Sequence, residues 1–305
     1  LFWVPESGQV ERGGVMRLAV LGNARRPGVP EAAEKIIPHL RSRADVRIVD
    51  LHQSADLGSV EVDFAIVLGG DGAILRAARQ MGYGQIPALG INLGRLGFLA
   101  DYQCSEIDLI LDALASGTFS MTRHMMLECI GPGGPTPVLG LNDLCIKSRN
   151  PFRMVDLSIF IDGLEVSQYR SDGVIVSTPV GSTAHSLAAG GPILGQETEA
   201  FVITPICPHA LTSRPLVESA NRELTLRLGN DRDPLIAMVD GQVEVPLGPG
   251  ETVLVRKAPV TFQLIRIPGR SFYRTLREKL AWGTLPSYRV EPDGVSRSTE
   301  PRSIP

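Results

Sequence analysis

A chain of 305 residues, 43% of them hydrophobic, suffices for one large core or two ordinary ones, and its length favours two domains. With 30 basic against 33 acidic side chains and a formal net charge of −3, it lacks the basic footprint of a protein that grips nucleic acid through its phosphates. No run approaches the roughly 20 apolar residues that a membrane helix needs, and Cys104, Cys129, Cys145 and Cys207 are spaced too widely for a disulfide framework or a zinc site. They read as buried or half-buried thiols in a reducing cytosol.

The first fifteen residues have an apolar start, too short for a signal peptide and with no basic region before it, and read as an extension or as the product of a misplaced start site. Leu18–Leu21 predicts a first strand, and Glu31–Arg41 has helical composition that Pro38 should kink or shorten. Val46–Val49 and Phe64–Leu68 predict two more strands; the second is a continuous apolar run, as in a parallel sheet covered on both faces. Gly69-Gly70-Asp71-Gly72 then leads into a helix over Ala73–Gln80, and a strand over Pro87–Ile91 ends at Asn92-Leu93-Gly94. This alternation argues for a doubly wound, Rossmann-like α/β domain over residues 16–120.

From Met121 the texture changes. Runs rich in Val, Ile and Thr (Val155–Ile161, Gly173–Ser177, Leu224–Leu228, Leu235–Val239, Val253–Val255, Val260–Ile267) alternate with Gly, Pro and Asp-Gly turns. They predict an all-β domain, a sandwich, over 121–270, with Asp162-Gly163 a strong hairpin signal. Ser271–Trp282 returns to helical spacing, with Phe272, Leu276 and Leu280 on one face, so the segment 271–285 predicts a terminal helix on the first domain. Pro, Ser, Gly and Arg dominate after Ser287, and 287–305 reads as a disordered tail.

Two stretches carry chemistry. In FAIVLGGDGAILRAAR a strand turns through three glycines and one Asp into a helix whose first amides favour phosphate. Asp71 stands at the strand's carboxyl end, where open α/β sheets bind ligands. A carboxylate repels phosphate, so Asp71 either takes a proton from a substrate hydroxyl or helps hold a metal ion bridging phosphates. The Walker and G-x-G-x-x-G patterns are absent, and alone the turn is equally an ordinary strand–helix connection. The second stretch, YRSDGVIVSTPVGSTAHSLAAGGPIL, runs a strand into Gly181-Ser182, where a helix would begin with Ser182 or Thr183 as its cap. His124 reads as a structural hydrogen-bonder, and His209, within ICPHAL, as the better functional candidate.

These motifs resemble the NAD kinases. The matching landmarks are GGDG at Gly69–Gly72, NLGRLGFL at Asn92–Leu99, Asn142-Asp143, the YRSDG…GSTAHSLAAGGPI run, ITPICPHALTSRPLV at Ile203–Val217, Val239-Asp240-Gly241-Gln242 and the terminal SFYRTLREKLAWG. GGDG is shared with lipid kinases and phosphofructokinases, whereas the long DG…GSTA…GGP run and the TPICPH segment are specific. The resemblance implies that Asp71 activates the 2′-hydroxyl of the adenosine ribose of NAD, with Gly72 against the same ligand. It further implies that Phe98 lines the NAD pocket, that Asn142 and Asp143 bind ribose hydroxyls, and that Asp172 contacts the nicotinamide end, with Arg170 nearby, across a subunit interface. Thr183 and Ala184 line the adenine and ribose region; Gly70, His185, Ser186 and Gln242, in the same matched segments, and Arg76, on the helix after the GGDG turn, complete the ligand-binding set. His185 stands where the family usually has Tyr, Val180 where Thr is usual, Ala188 where Ser is common, and Asp143 where Glu is more frequent.

The function so implied is transfer of a phosphoryl group from ATP or polyphosphate to NAD, giving NADP, in the cleft between the domains. Mg²⁺ or Mn²⁺ would accompany the donor without a dedicated protein cage. The resemblance also implies a cytoplasmic homo-oligomer, a dimer or tetramer, with no nucleic-acid or membrane partner. Two other readings stay open at this level: a lipid or sphingoid-base kinase, which needs an apolar acceptor cleft, and a non-catalytic dinucleotide sensor, which would have a degenerate turn.

Overall fold

The computed structural model describes residues 15–94, 97–132, 134, 136–150, 153–229 and 234–282. The N-terminal extension, save Val15, and the tail from Ser287 lie outside the described residues. The first domain runs β1 (Arg17–Leu21), α1 (Val29–Arg43), β2 (Asp45–Asp50), β3 (Phe64–Leu68), α2 (Asp71–Met81), β4 (Ala88–Ile91), β5 (Ala100–Tyr102), α3 (Ile107–Ser116). Its strands pair in parallel in the order β4-β3-β1-β2. Alternation along the strands sorts the two faces. Leu18, Val20, Ile66 and Leu68 pack with Ile36 and Leu40 of α1 and Ile110 and Leu114 of α3. Ala19, Ala65 and Ala88 pack with Ile74, Ala77 and Ala78 of α2, and these small side chains let α2 lie close to the sheet. Pro38 does not shorten α1, which runs on to Arg43. A proline removes only one amide from the ladder, and the buried stripe Val29, Ala32, Ala33, Ile36 and Leu40 holds the helix on the sheet.

The second half continues β6 (Ser120–Ile130), β7 (Val138–Gly140), β8 (Asp143–Ser148), β9 (Val155–Ile161), β10 (Leu164–Ser171), β11 (Gly173–Ser177), α4 (His185–Ala188), β12 (Ala200–Ile206), β13 (Leu216–Ser219), β14 (Leu224–Leu228), β15 (Leu235–Val239), β16 (Val243–Leu247), β17 (Thr252–Arg266) and α5 (Phe272–Leu280). One sheet has the order β13-β12-β11-β8-β15-β16. It packs through Ile146, Val176, Phe201 and Val239 against Leu157, Ile159, Leu226 and Val255 of the other, which makes the sandwich core. The β9–β10 hairpin turns at Asp162 (φ 49°) and Gly163 (φ 82°), the two positive φ values that a type I′ turn demands.

The expected strands Val253–Val255 and Val260–Ile267 are a single strand, β17, whose register against β6 slips between Lys257 and Thr261. Pro259, which has no amide to give a ladder, sits in that irregularity. β17 pairs antiparallel with β14 and β6, and its Leu264 lies parallel beside Ala88 of β4. One eleven-stranded sheet therefore runs through both halves. Ser271 caps α5 by accepting the Arg274 amide at 3.2 Å, and Leu276 is buried while Leu280 is open to solvent.

Two expectations fail. Cys207 is exposed rather than buried or half-buried, on a turn with φ 45°. His124 makes no well-formed hydrogen bond among the described residues: it is fully buried on β6 opposite Phe262, and burial, then Arg266, draws its pKa down to about 4 against a smaller backbone contact with Gln196. No helix among the described residues is long and apolar enough to cross a membrane.

Candidate active site at the glycine turn

β3 delivers the chain to Gly69, at φ 137°, where a Cβ would sit 2.8 Å from that of Ala73. Gly70 precedes α2 with no side-chain cap, and the Ala73 amide already donates to the Gly70 carbonyl at 2.8 Å, so the amides of Asp71 and Gly72 are the ones left for a ligand. A cavity of about 710 Å³ opens over this turn, lined by Asn23, Arg26, Gly70, Gly72, Arg76 and Gln242 among others. Arg76 donates to Gln53 Oε1 at 2.5 Å, which fixes its guanidinium at the rim.

Asp71, the first residue of α2, accepts the amides of Phe98 (2.8 Å, to Oδ2), Leu99 (2.9 Å, to Oδ1) and Ala100 (3.0 Å, to Oδ1). The carboxylate thus clamps the loop before β5, and it comes so close to Gly97 that a Cβ there would meet Oδ1 at 2.0 Å. Lys279 Nζ of α5 lies 3.8 Å from Oδ2 and 4.4 Å from the centroid of the Phe98 ring. That ring is buried and tilts against Phe272, 6.2 Å away.

Across the cleft, the β15–β16 turn places Asp240 (φ 52°) and Gly241 (φ 63°) beneath the Asn142-Asp143 pair. Asp240 accepts the amides of Leu141 (3.0 Å), Asn142 (2.7 Å) and Asp143 (3.2 Å). Arg79 of α2 lies 3.9 Å from Asp240 Oδ2 and donates to Gln242 Oε1 at 2.7 Å, while Gln242 Nε2 donates to the Gly72 carbonyl at 2.8 Å. Helix α2 and the ribose-pair segment are tied together by this chain. Burial, then the charge of Asp240, pushes the Asp143 pKa up to about 7. Burial also raises Asp240, against its amide bonds and Arg79. Donors converge on Asp240 and none of the described residues bonds the Asp143 carboxyl, so Asp240 keeps the charge and the proton settles on Asp143 near neutrality.

Gly181 packs so tightly on Asn142 that a Cβ would lie 2.1 Å from its carbonyl, and Thr178 donates to the Leu141 carbonyl at 2.5 Å. The GSTA stretch is thereby fastened to the acidic pair. It is not the capped helix that the sequence suggests. Residues Gly181–Thr183 form a 3₁₀ turn, and α4 is a single turn beginning at His185. Ser182 and Thr183 turn their hydroxyls back to the carbonyls of Pro179 (2.6 Å) and Val180 (3.0 Å), so neither caps a helix. Ala184 is half-buried and His185 exposed, with the His185 pKa lowered by burial and then by Lys147. Ser186 is fully buried and shares a 2.9 Å hydrogen bond with Thr204.

Arg170 stands apart. It lines a separate cavity of about 540 Å³ with Asp156, His209 and Arg227, and it shares no lining residue with the cleft over Gly70. Asp172, exposed, continues from β10 into β11, its amide bonded to Ile206 O at 3.0 Å. Sequence reasoning missed Arg79, Asp240 and Lys279 as site residues. Asp240 and Lys279 lie inside matched landmarks, but nothing local marks either as a partner of the cleft; Arg79 has no local signal beyond its position two turns after Asp71.

An α/β domain whose uncapped glycine turn opens onto a two-sheet β domain, with arginines and carboxylates gathered at the join, has the layout of a two-domain phosphotransferase for a nucleotide substrate. Comparison with known proteins narrows this. Residues 31–119 match the family model described as the ATP-NAD kinase N-terminal domain, and residues 141–267 the ATP-NAD kinase C-terminal domain. The NAD kinase of Rhodopirellula baltica is 44% identical over 269 residues, 87% of this chain and 86% of that protein. A crystal structure of an NAD kinase from Archaeoglobus fulgidus in complex with ATP superposes with a TM-score of 0.72 at 28% identity, over 87% of this chain and 99% of that one. The yeast NADH kinase complexed with NADH shares the fold with a TM-score of 0.78 at 24% identity, over 90% and 89% of the two chains. The chain belongs to the NAD kinase family.

Proposed function

We infer that this enzyme transfers a phosphoryl group from ATP to the 2′-hydroxyl of the adenosine ribose of NAD, giving NADP, with Asp71 as the general base. The observation that carries the reading is the Asp71 carboxylate itself: it sits between Gly70 and Gly72, which line the cavity, its side chain is 30% exposed, and Oδ2 receives only one amide among the described residues. A carboxylate oxygen can accept two bonds, so a lone pair of Oδ2 is left for the incoming hydroxyl. The free amides at the start of α2 and the side chains of Arg26 and Arg76 suit the donor phosphates. Asn142 and Asp143, with Thr183, Ala184 and His185 beyond them, suit the ribose and base of NAD. In its protonated form, which burial favours up to about pH 7, Asp143 can donate to a sugar oxygen, which offsets its shorter reach relative to Glu. The arginines, glutamines and asparagines of the cavity do not provide the apolar acceptor cleft that a lipid kinase needs.

The reaction forms a bond from the ribose oxygen to the γ-phosphorus as the bond to the bridging oxygen breaks, and the hydroxyl proton passes to Asp71. No group of three or more His, Cys, Asp or Glu able to hold a metal gathers among the described residues. A divalent ion accompanying the donor would ride on its phosphate oxygens, as Mg²⁺ usually does, neutralising their charge. The family reading further makes the protein a cytoplasmic homo-oligomer. The test is Asp71→Asn: NAD binding should stay largely intact while turnover falls about 10²–10⁴-fold, the range for loss of a general base. Near-normal NADP formation by that variant would sink the assignment.

A further inference from the structure

We propose that Lys279, from the C-terminal helix, is a positioning residue for Asp71; the proposal rests on the reading of Asp71 as the base. The two oxygens of the Asp71 carboxylate are not equivalent. Oδ1 receives two amides, from Leu99 and Ala100, and is saturated. Oδ2 receives one, from Phe98. It is Oδ2 that faces Lys279 Nζ at 3.8 Å. Among the described residues no other Lys or Arg nitrogen comes within 4.0 Å of this carboxylate.

The ammonium is itself held from two sides. It sits 4.4 Å from the centroid of the Phe98 ring, an attraction that a neutral side chain would not feel. Phe98 belongs to the loop that Asp71 clamps, so carboxylate, loop and cation form one closed arrangement. The helix that carries Lys279 is anchored independently, by the Ser271 cap, by buried Leu276 and by Phe272 against Phe98. The lysine side chain is about one-third exposed (32%), so little packing depends on it. Its charge does more. With Oδ2 the only oxygen free to take the hydroxyl proton, a cation at 3.8 Å fixes which way that oxygen points without occupying its lone pair in a short hydrogen bond. Lys279 thereby aims the base, and the aim is supplied from the far end of the chain.

The experiment is a double-mutant cycle on the full chain, with NADP formation from ATP, Mg²⁺ and NAD as the readout. Lys279→Met should lower kcat about 10-fold, in the range of coupling between contacting groups, with the KM for NAD changed less than about 2-fold. Lys279→Arg, which keeps the charge, should recover most of the loss. Lys279→Met should add nothing in an Asp71→Asn background, because the residue acts through the carboxylate. An equal loss in both backgrounds, or a wild-type kcat for Lys279→Met and Lys279→Gln alike, overturns the proposal. A wild-type turnover for Asp71→Asn alone instead removes the assignment of the base, and this inference with it. Far-ultraviolet circular dichroism and Tm of the variants should match the wild type; a charge-preserving Arg that stays as slow as Met while folding normally counts against the proposal.

Discussion

Asp71 and Asp240 make the same bond pattern in two different settings. Each carboxylate gathers three consecutive backbone amides, those of residues 98–100 for Asp71 and of 141–143 for Asp240, and each has one cation just under 4 Å away, Lys279 or Arg79. They differ in access. The Asp71 side chain is 30% exposed, whereas that of Asp240 is fully buried. A carboxylate sealed from solvent can only organise the backbone; one with an open oxygen can also exchange a proton with a ligand. Exposure, rather than the hydrogen-bond pattern, separates the structural acid from the reactive one.

The contrast can be broken or sharpened experimentally. The largest effect belongs to Asp240→Ala, which takes the acceptor from three amides and leaves the Arg79 charge in the interior with Gln242 alone. It should destabilise the fold by about 3–5 kcal/mol in urea unfolding, the range for breaking a buried charged pair, while Asp71→Asn should barely move the unfolding midpoint. Comparable midpoints for the two variants would erase the distinction. Next, Gly97→Ala pushes a methyl to within 2.0 Å of Asp71 Oδ1 and must shift the carboxylate. Turnover should fall about 10²-fold, as for a displaced reacting group, with NAD affinity measured by calorimetry little changed.

The smallest effect concerns Asp143. An acid whose folded pKa is raised, here to about 7, takes up its proton more readily in the folded than in the unfolded chain. Its contribution to stability is therefore full at low pH and fades as pH rises from the ordinary carboxylate range through about 7. Asp143→Asn lacks this dependence. Between about pH 4 and about pH 7 the wild type should lose stability relative to the variant, with a slope of at most ~1.4 kcal/mol for each step of one in pH. A flat difference across that range would mean that Asp143 stays ionised.

Much of the first domain was legible, because β3 and β4 are apolar runs and the glycines of GGDG announce the turn between β3 and α2. The Asp162-Gly163 hairpin was equally plain, since few residues besides Asp, Asn and Gly tolerate positive φ. What escaped depends on partners remote in the chain. The slip at Pro259 hid the unity of β17, because a proline inside a β run reads as its end. Ser182 and Thr183 looked like caps, yet their hydroxyls return to carbonyls three residues back, a local alternative that pattern alone cannot rank. Arg79 and Lys279 carry no motif of their own. Their place near Asp240 and Asp71 is set by how α2 and α5 dock, which no local period encodes.

β17 has a mechanical consequence. The strand pairs with β14 and β6 along its length and meets β4 at Leu264 and Ala88, so the backbone link between the α/β half and the sandwich passes through this one strand. Severing the chain near residue 120 would strip β17 from β4 rather than release a self-sufficient half.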